Sequence, residues 1–391
     1  MKQTLLTILG LLSLTFLHAQ SFEVDFAIQG IQSTSAYVTV FGDKDQVLVD
    51  MKDDKISIAD GKFKLQGTTN TQGVIRISLS NDDRFLKMMP SGGYIPVKSS
   101  SLWVVVYPGA KFTVAGSLEG KDFIDLYPVE GTGAGENDIF AKLSSKMMPL
   151  LNEGGNIVVE MEVKKNELTA EQVAQMNKRG EEIDVHVAKI RENFISEYPS
   201  SVAALWLMED MLIRSQIEPA ALEVPLAKVD KKYNNNYFYT KVKGRVAGAK
   251  SAAVGAKCPN INGSDQFGKE FSIKDIKGKF IIIDFWGTWC GACLSGTPHM
   301  KAFRDAHADK VQIVGVANDK DVAKWKACIE KNGMNWPNVM QGKGEQDYVA
   351  KFNVQGFPTK VLVSPKGIIL HRESGESEGF YKTVENLINA K

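Results

Sequence analysis

One segment constrains this chain more than any other. Phe280 to Trp286 is a β-prone run, apolar except for Asp284, and it leads through Gly287-Thr288-Trp289 into Cys290-Gly291-Ala292-Cys293. A buried strand that ends in a two-cysteine turn opening a helix fits few folds. The surrounding pattern agrees. A helical stretch runs on to about His307, Val311 to Ala317 reads as a strand and Val322 to Lys331 as a helix. Lys360 to Val363 and Ile368 to His371 read as strands paired around Ser364-Pro365-Lys366-Gly367, and Phe380 to Ala390 as a closing helix. Strand–helix alternation of this kind implies a central sheet with helices on both faces.

The two cysteines suit a redox task. The nucleophilic form of cysteine is the thiolate, and a thiol of ordinary pKa ~8.5 is mostly protonated at neutral pH. A helix N-terminus offers unpaired N–H groups and partial positive charge, which favour a thiolate there. Two intervening residues let the second sulfur reach the first within one helical turn. Cys290 is expected to be the exposed attacker, and Cys293 the recessed resolver that releases a mixed disulfide. The competing use of a C-x-x-C is half of a zinc site, which needs two further ligands at matching spacing. The other two cysteines, Cys258 and Cys328, stand singly without a neighbouring histidine. They read as small buried apolar residues, with a bridge between them as the minor alternative.

The rest of the chain divides by period. Residues 20–131 carry strand signals: Ile75, Ile77 and Leu79 alternate, and Lys55 to Ile58 and Lys62 to Leu65 flank Ala59-Asp60-Gly61 as a hairpin. An antiparallel β-domain is expected there. Residues 132–250 carry helical spacing, with Ile183, Val187, Ile190 and Phe194 on one face and a capping box at Thr169 to Gln172. Gly244 to Ala256 reads as a linker or loose helix end. Residues 1–19 have a positive start, an apolar run from Leu5 to Leu17 and a small residue at the end, the parts of a signal peptide cleaved after Ala19. That run is shorter than the ~20 residues that span a bilayer, and no other stretch is long enough. A chain so exported works in the periplasm or cell envelope, where a cysteine pair can cycle through a disulfide. Loss of Lys2 with the leader brings the formal charge of +1 to zero, which gives no reason to expect nucleic acid or an anionic membrane surface as partner.

Phe285 to Cys293 resembles the active-site strand and turn of thioredoxins, and Gly356-Phe357-Pro358-Thr359 their cis-proline loop. With the lead-in Gly255-Ala256-Lys257-Cys258-Pro259, residues 251–391 are similar to the TlpA-type branch of exported thioredoxin-like thiol:disulfide oxidoreductases. Asp60-Gly61-Lys62-Phe63 and Pro108-Gly109 resemble a β-domain of unknown function that precedes such domains. The resemblance implies a multidomain chain with a C-terminal α/β thioredoxin fold, and a protein-disulfide reductase acting through Cys290 and Cys293. It implies that Asp284 is the buried carboxylate that takes the proton of Cys293; a strand-end polar residue bonded to backbone is its alternative role. It implies that Pro358 is a cis-proline beside which a substrate strand can pair, and that Trp289 shields the nucleophile. Protein thiols and disulfides are the implied substrates, with a membrane thiol as electron donor. No nicotinamide or flavin motif is present, so no cofactor is expected. The chain departs from the pattern at Ala292, where thioredoxin has proline, and at Gly296, where relatives that reduce apocytochrome c carry a glutamate. The alternative from a different class is an envelope binding or scaffold protein whose N-terminal domains recruit a partner.

Overall fold

The computed structural model describes residues 19–132 and 134–390; the expected leader, up to His18, lies outside them. The chain divides into two compact units, the first ending at Ala203 and the second starting at Ala204.

In the first unit, strands β1 (Gln20–Gln29), β2 (Ser35–Phe41), β3 (Val47–Val49), β4 (Lys55–Ser57), β5 (Lys62–Thr69) and β6 (Gly73–Leu79) are followed by β7 (Lys87–Met88), β8 (Tyr94–Ile95), β9 (Leu102–Val106), β10 (Lys111–Ser117) and β11 (Pro128–Thr132). They form one sheet in the order β11-β10-β1-β5-β3, a second in the order β4-β2-β6-β9 and a small β7-β8 pair. Alternate residues of both larger sheets, among them Phe22, Val24, Leu65, Ile75, Ile77 and Val104, fill one apolar core. The pairing is antiparallel throughout except that β1 runs parallel to β10. The expected hairpin at Ala59–Lys62 keeps its turn, with paired bonds of 3.0 and 2.8 Å, but its two arms enter different sheets. Ile28 N donates to Gly61 O at 2.9 Å, so β1 captures β5 while β2 captures β4.

Two helices follow, α1 (Ala134–Val163) and α2 (Ala170–Glu197). Thr169 caps α2 through the expected capping box, its Oγ1 accepting from Gln172 N at 3.2 Å while Gln172 Oε1 accepts from Thr169 N at 2.8 Å. The Asn137 side chain on α1 bonds both the N–H and the C=O of Val105, at 2.8 and 3.0 Å. It therefore pairs with the edge strand β9 as another strand would.

The second unit begins within α3 (Val202–Ile213) and continues through α4 (Glu223–Ala227) and α5 (Tyr237–Ser251). Of the stretch from Gly244 to Ala256, read as a linker or loose helix end, the residues up to Ser251 form the second half of α5. One of its small residues has a packing reason: a Cβ at Gly248 would overlap the carbonyl oxygen of Ala350. Arg245 donates to Val354 O at 3.1 Å, and Lys241 pairs with Asp347 at 2.7 Å. Helix α5 therefore packs against the segment from Asp347 to Val354.

That sheet follows the short hairpin β12 (Asn262–Ser264) and β13 (Glu270–Ser272). Its elements are β14 (Phe280–Trp286), α6 (Gly291–Ala306), β15 (Val311–Ala317), α7 (Val322–Asn332), β16 (Asn338–Met340), α8 (Tyr348–Lys351), β17 (Thr359–Val363), β18 (Ile369–Ser374) and α9 (Glu378–Asn389). The order is β16-β15-β14-β17-β18, with β16, β15 and β14 parallel and β17 and β18 antiparallel. The central strand β14 splits its side chains by the period of two. Ile281, Ile283 and Phe285 join one buried cluster, and Ile282 and Trp286 join the other, which also holds the two cysteines. Asp284 shares the second face by parity.

Candidate active site

The C-terminal end of β14 delivers the chain to α6 through a turn that is tied down on all sides. Cys290 is the N-cap of α6, and its Sγ accepts the Cys293 N–H at 3.2 Å. A cap sulfur facing an unpaired helical N–H is an arrangement that favours the thiolate once the pair is reduced. Cys290 and Cys293 are joined in a disulfide, with 5.3 Å between their Cα atoms. Upstream, Thr288 donates twice to the Asp319 carboxylate, from its N at 2.9 Å and its Oγ1 at 2.7 Å. Trp289 Nε1 donates to Asn318 O at 3.0 Å, and Asn318 N donates to Trp286 O at 2.8 Å. The chain just after β15 thus anchors the cysteine turn. Hydrogen bonds to a charged group are worth ~1.5–3 kcal/mol each. Asp319→Ala is expected to lower the urea-unfolding free energy of the second unit by about 2–3 kcal/mol, and an unchanged midpoint would remove this anchoring role.

The expectation of an exposed Cys290 needs correction. In the disulfide form Cys290 is 6% exposed and Cys293 4%, while Trp289 beside them is 57% exposed. Cys290 lies within the buried cluster that holds Trp286, Met300 and Tyr381 and on which Phe357 packs. Trp289 and Phe357 meet edge to face at 5.2 Å. The two aromatic rings thus stand together beside a nearly closed disulfide, so a partner must press against them to reach sulfur.

The Phe357–Pro358 peptide bond is cis. Pro358 O accepts from Gly375 N at 2.8 Å, and Thr359 Oγ1 donates to Gly356 O at 2.7 Å. Between these bonds the backbone of Phe357 makes no hydrogen bond among the described residues. It is available to an added strand.

Asp284 is buried, and its Oδ1 has no hydrogen-bond partner. Desolvation pushes its carboxyl up to about 6, against the nearby Lys360 ammonium, which pulls it down, and with the Glu376 carboxylate, which adds to the rise. Lys360 lies opposite Asp284 in the β14–β17 register and is itself buried, paired with Glu376. Neither Lys360 nor Glu376 was legible as a site residue, since a lysine in a strand and a glutamate before a helix are ordinary surface choices.

Cys258 and Cys328 are free thiols. Burial pushes the Cys258 thiol up to about 12 and raises that of Cys328 as well. Among the described residues no group of three or more His, Cys, Asp or Glu side chains is placed to hold a metal ion.

The family model described as Redoxin matches residues 253–390. The C-terminal region of the chain is a Redoxin domain. It is homologous to thiol-disulfide oxidoreductases of the ResA type. Thiol-disulfide oxidoreductase ResA of Bacillus thuringiensis (strain Al Hakam) is 29% identical over 152 residues, 37% of this chain and 87% of that protein. The ResA of Bacillus subtilis (strain 168) is 28% identical over 152 residues, 38% of this chain and 84% of that protein. A crystal structure of the thioredoxin domain of a thiol-disulfide oxidoreductase from Bacteroides vulgatus is 34% identical, with 35% of this chain and 99% of that one covered and a TM-score of 0.33. The Redoxin domain is a thiol–disulfide oxidoreductase domain, and the described residues include no helix long and apolar enough to cross a membrane.

Proposed function

We propose that the chain is an exported reductase of protein disulfides that works through Cys290 and Cys293. The observation that carries this reading is the disulfide at the N-cap of α6, with Cys290 Sγ facing the Cys293 N–H. In the working direction the reduced Cys290 thiolate attacks one sulfur of a substrate disulfide. An S–S bond to Cys290 forms, the substrate S–S bond breaks and one substrate thiolate leaves. Cys293 then gives its proton to Asp284, and its thiolate attacks Cys290 Sγ. The Cys290–Cys293 bond forms, the bond to substrate breaks and the second substrate thiolate takes up a proton. Two electrons pass from the dithiol to the substrate, and a membrane thiol donor restores the dithiol. Pro358 and the unpaired Phe357 backbone support an extended substrate strand docking beside Trp289. The apolar run from Leu5 to Leu17 supports export to the periplasm or envelope.

The reduction potential of the pair tests the direction. A value near the ~ −270 mV of thioredoxin is expected, and a value near ~ −120 mV, that of a strong oxidant, would overturn it. Thiol titration supplies the companion test. The unfolded oxidised chain should show only the Cys258 and Cys328 thiols, and all four cysteines should titrate after reduction. Four titratable thiols before reduction would mean that the pair does not form.

A recruiting role for the first unit is favoured by a cleft lined by Tyr37, Leu48, Met51, Arg76 and Tyr94, several of them exposed apolar side chains. A fragment that begins near Gly255 would strip α5 from Ala350, so a fair test starts ahead of α3. Full activity of residues 200–391 toward the natural substrate would remove the recruiting role.

A further inference from the structure

Helix α6 has a gap one turn past Cys293, at Gly296, and the gap is filled. A Cβ at Gly296 would overlap the carboxyl group of Glu376, which comes from the loop between β18 and α9. That carboxylate pairs with the buried Lys360 ammonium through Oε2 and receives the Tyr381 hydroxyl at Oε1, 3.4 Å away. Lys360 in turn lies opposite Asp284 in the sheet register, on the same face by parity with Leu362. One positive and two negative side chains thus share the enclosed face beneath the cysteine pair, with no water-exposed member among Asp284 and Lys360.

We propose that Glu376 is a positioning residue for the resolving step: its carboxylate, seated in the space Gly296 leaves, holds Lys360 and balances the charge that faces Asp284. This rests on the reading that Asp284 takes the proton of Cys293. An ammonium opposite Asp284 with no counter-charge would hold the carboxylate ionised and weaken it as a base. Glu376 offsets that pull, so that Asp284 stays basic enough to accept a proton and still release it near neutral pH. Its effect on Asp284 has the sign this requires, since the Glu376 charge raises the Asp284 carboxyl while Lys360 lowers it. The other groups on this face are Tyr381 on α9, His299 on α6, whose ring lies tilted against Tyr381 with centroids 4.2 Å apart, and His371 and Glu373 on β18. Burial and the Glu376 charge hold the Tyr381 hydroxyl protonated, so it donates to Glu376 throughout the working range.

The test is stopped-flow reaction of the reduced full chain with dipyridyl disulfide, followed through its two thione-releasing phases between about pH 4 and 8. The second phase reads resolution by Cys293. In the parent chain its rate should rise along a limb near pH 6, where Asp284 ionises. Glu376→Gln keeps the size of the side chain and one acceptor oxygen for Lys360 and removes the charge; its NH2 group then faces the Tyr381 hydroxyl, whose oxygen can accept from it. Its limb should move down by about one pH unit or more. Gly296→Ala is the second variant and tests the seat rather than the charge. Its Cβ must displace the carboxylate, so its limb should move the same way, and it should add nothing on a Glu376→Gln background. A limb that stays in place in Glu376→Gln, or in Gly296→Ala if the first variant does not fold, overturns the proposal. Asp284→Asn separates the two levels. If the limb survives in that variant, the proton-acceptor reading falls and the role of Glu376 falls with it. If it vanishes there but stays in place in Glu376→Gln, Glu376 alone is dismissed.

Discussion

Cys290→Ser is expected to abolish reduction of insulin disulfides, with the rate falling by about three orders of magnitude or more, the scale of losing a nucleophile. Cys293→Ser is expected to behave differently. It keeps the attacker and lacks the resolver, so a mixed disulfide between Cys290 and the substrate should accumulate and be released by dithiothreitol. The assignment does not follow from exposure, because the two sulfurs are almost equally enclosed in the oxidised pair. It follows from position. Cys290 is the cap, its Sγ accepts the N–H of Cys293, and the partial charge of the helix end acts there first. Residual turnover in Cys290→Ser near the parent rate, or a trapped adduct in that variant instead of in Cys293→Ser, would reverse the roles.

Asp284→Asn is expected to make the oxidised chain more stable and the resolving step slower. The carboxyl is raised from its ordinary 3.8 to about 6 by desolvation. A raised acid favours its neutral form in the folded chain. The stability it allows is therefore complete below about pH 4 and is lost as pH rises through about 6. At about 1.4 kcal/mol per unit, the charged carboxylate costs the fold about 3 kcal/mol at neutral pH. Urea unfolding of Asp284→Asn should show a gain of about 2–3 kcal/mol at pH 7.5 that disappears by about pH 4. The same change removes the proton acceptor, and resolution should slow by about 10²–10⁴. A variant no more stable than the parent at pH 7.5 would mean that Asp284 is not held against its ionisation. One that resolved at the parent rate would assign it the structural role alone.

Much of the second unit was legible because its signals are local. The strand at β14, the turn at Cys290 and the start of α6 follow from seven β-prone residues, two thiols and a helix-compatible sequence, all within reach of one another. The strands β15 and β17 and the helices α7 and α9 follow from their own periods to within a residue or two, and β18 is found but runs three residues past the expected His371. The elements missed were α4, β12, β13, β16 and α8, each only three to five residues long. Such segments are too short to show a repeat of either period and are held by partners distant in sequence.

The errors elsewhere share that origin. Lys55 to Leu65 reads as a hairpin because its turn chemistry is local, but which strand each arm joins was decided by β1 and β2. Gly244 to Ala256 reads as a linker or loose helix end because its residues are small; the part up to Ser251 closes α5, and at Gly248 the reason for a small residue lies at Ala350. A helix end suggests an exposed Cys290, whereas the oxidised pair lies enclosed in an apolar cluster that distant segments of the chain build.

The order of residues alone determined that a redox-suited cysteine pair opens a helix after a central strand, because spacing along one chain sets which atoms a single turn can bring together. Only the tertiary structure decided the electrical setting of that pair: an enclosed Asp284, Lys360 opposite it in the register and Glu376 filling the space left by Gly296. Desolvation and charge balance are sums over every group that folding brings near, and three of these four residues come from separate strands and loops that only the packed sheet places side by side.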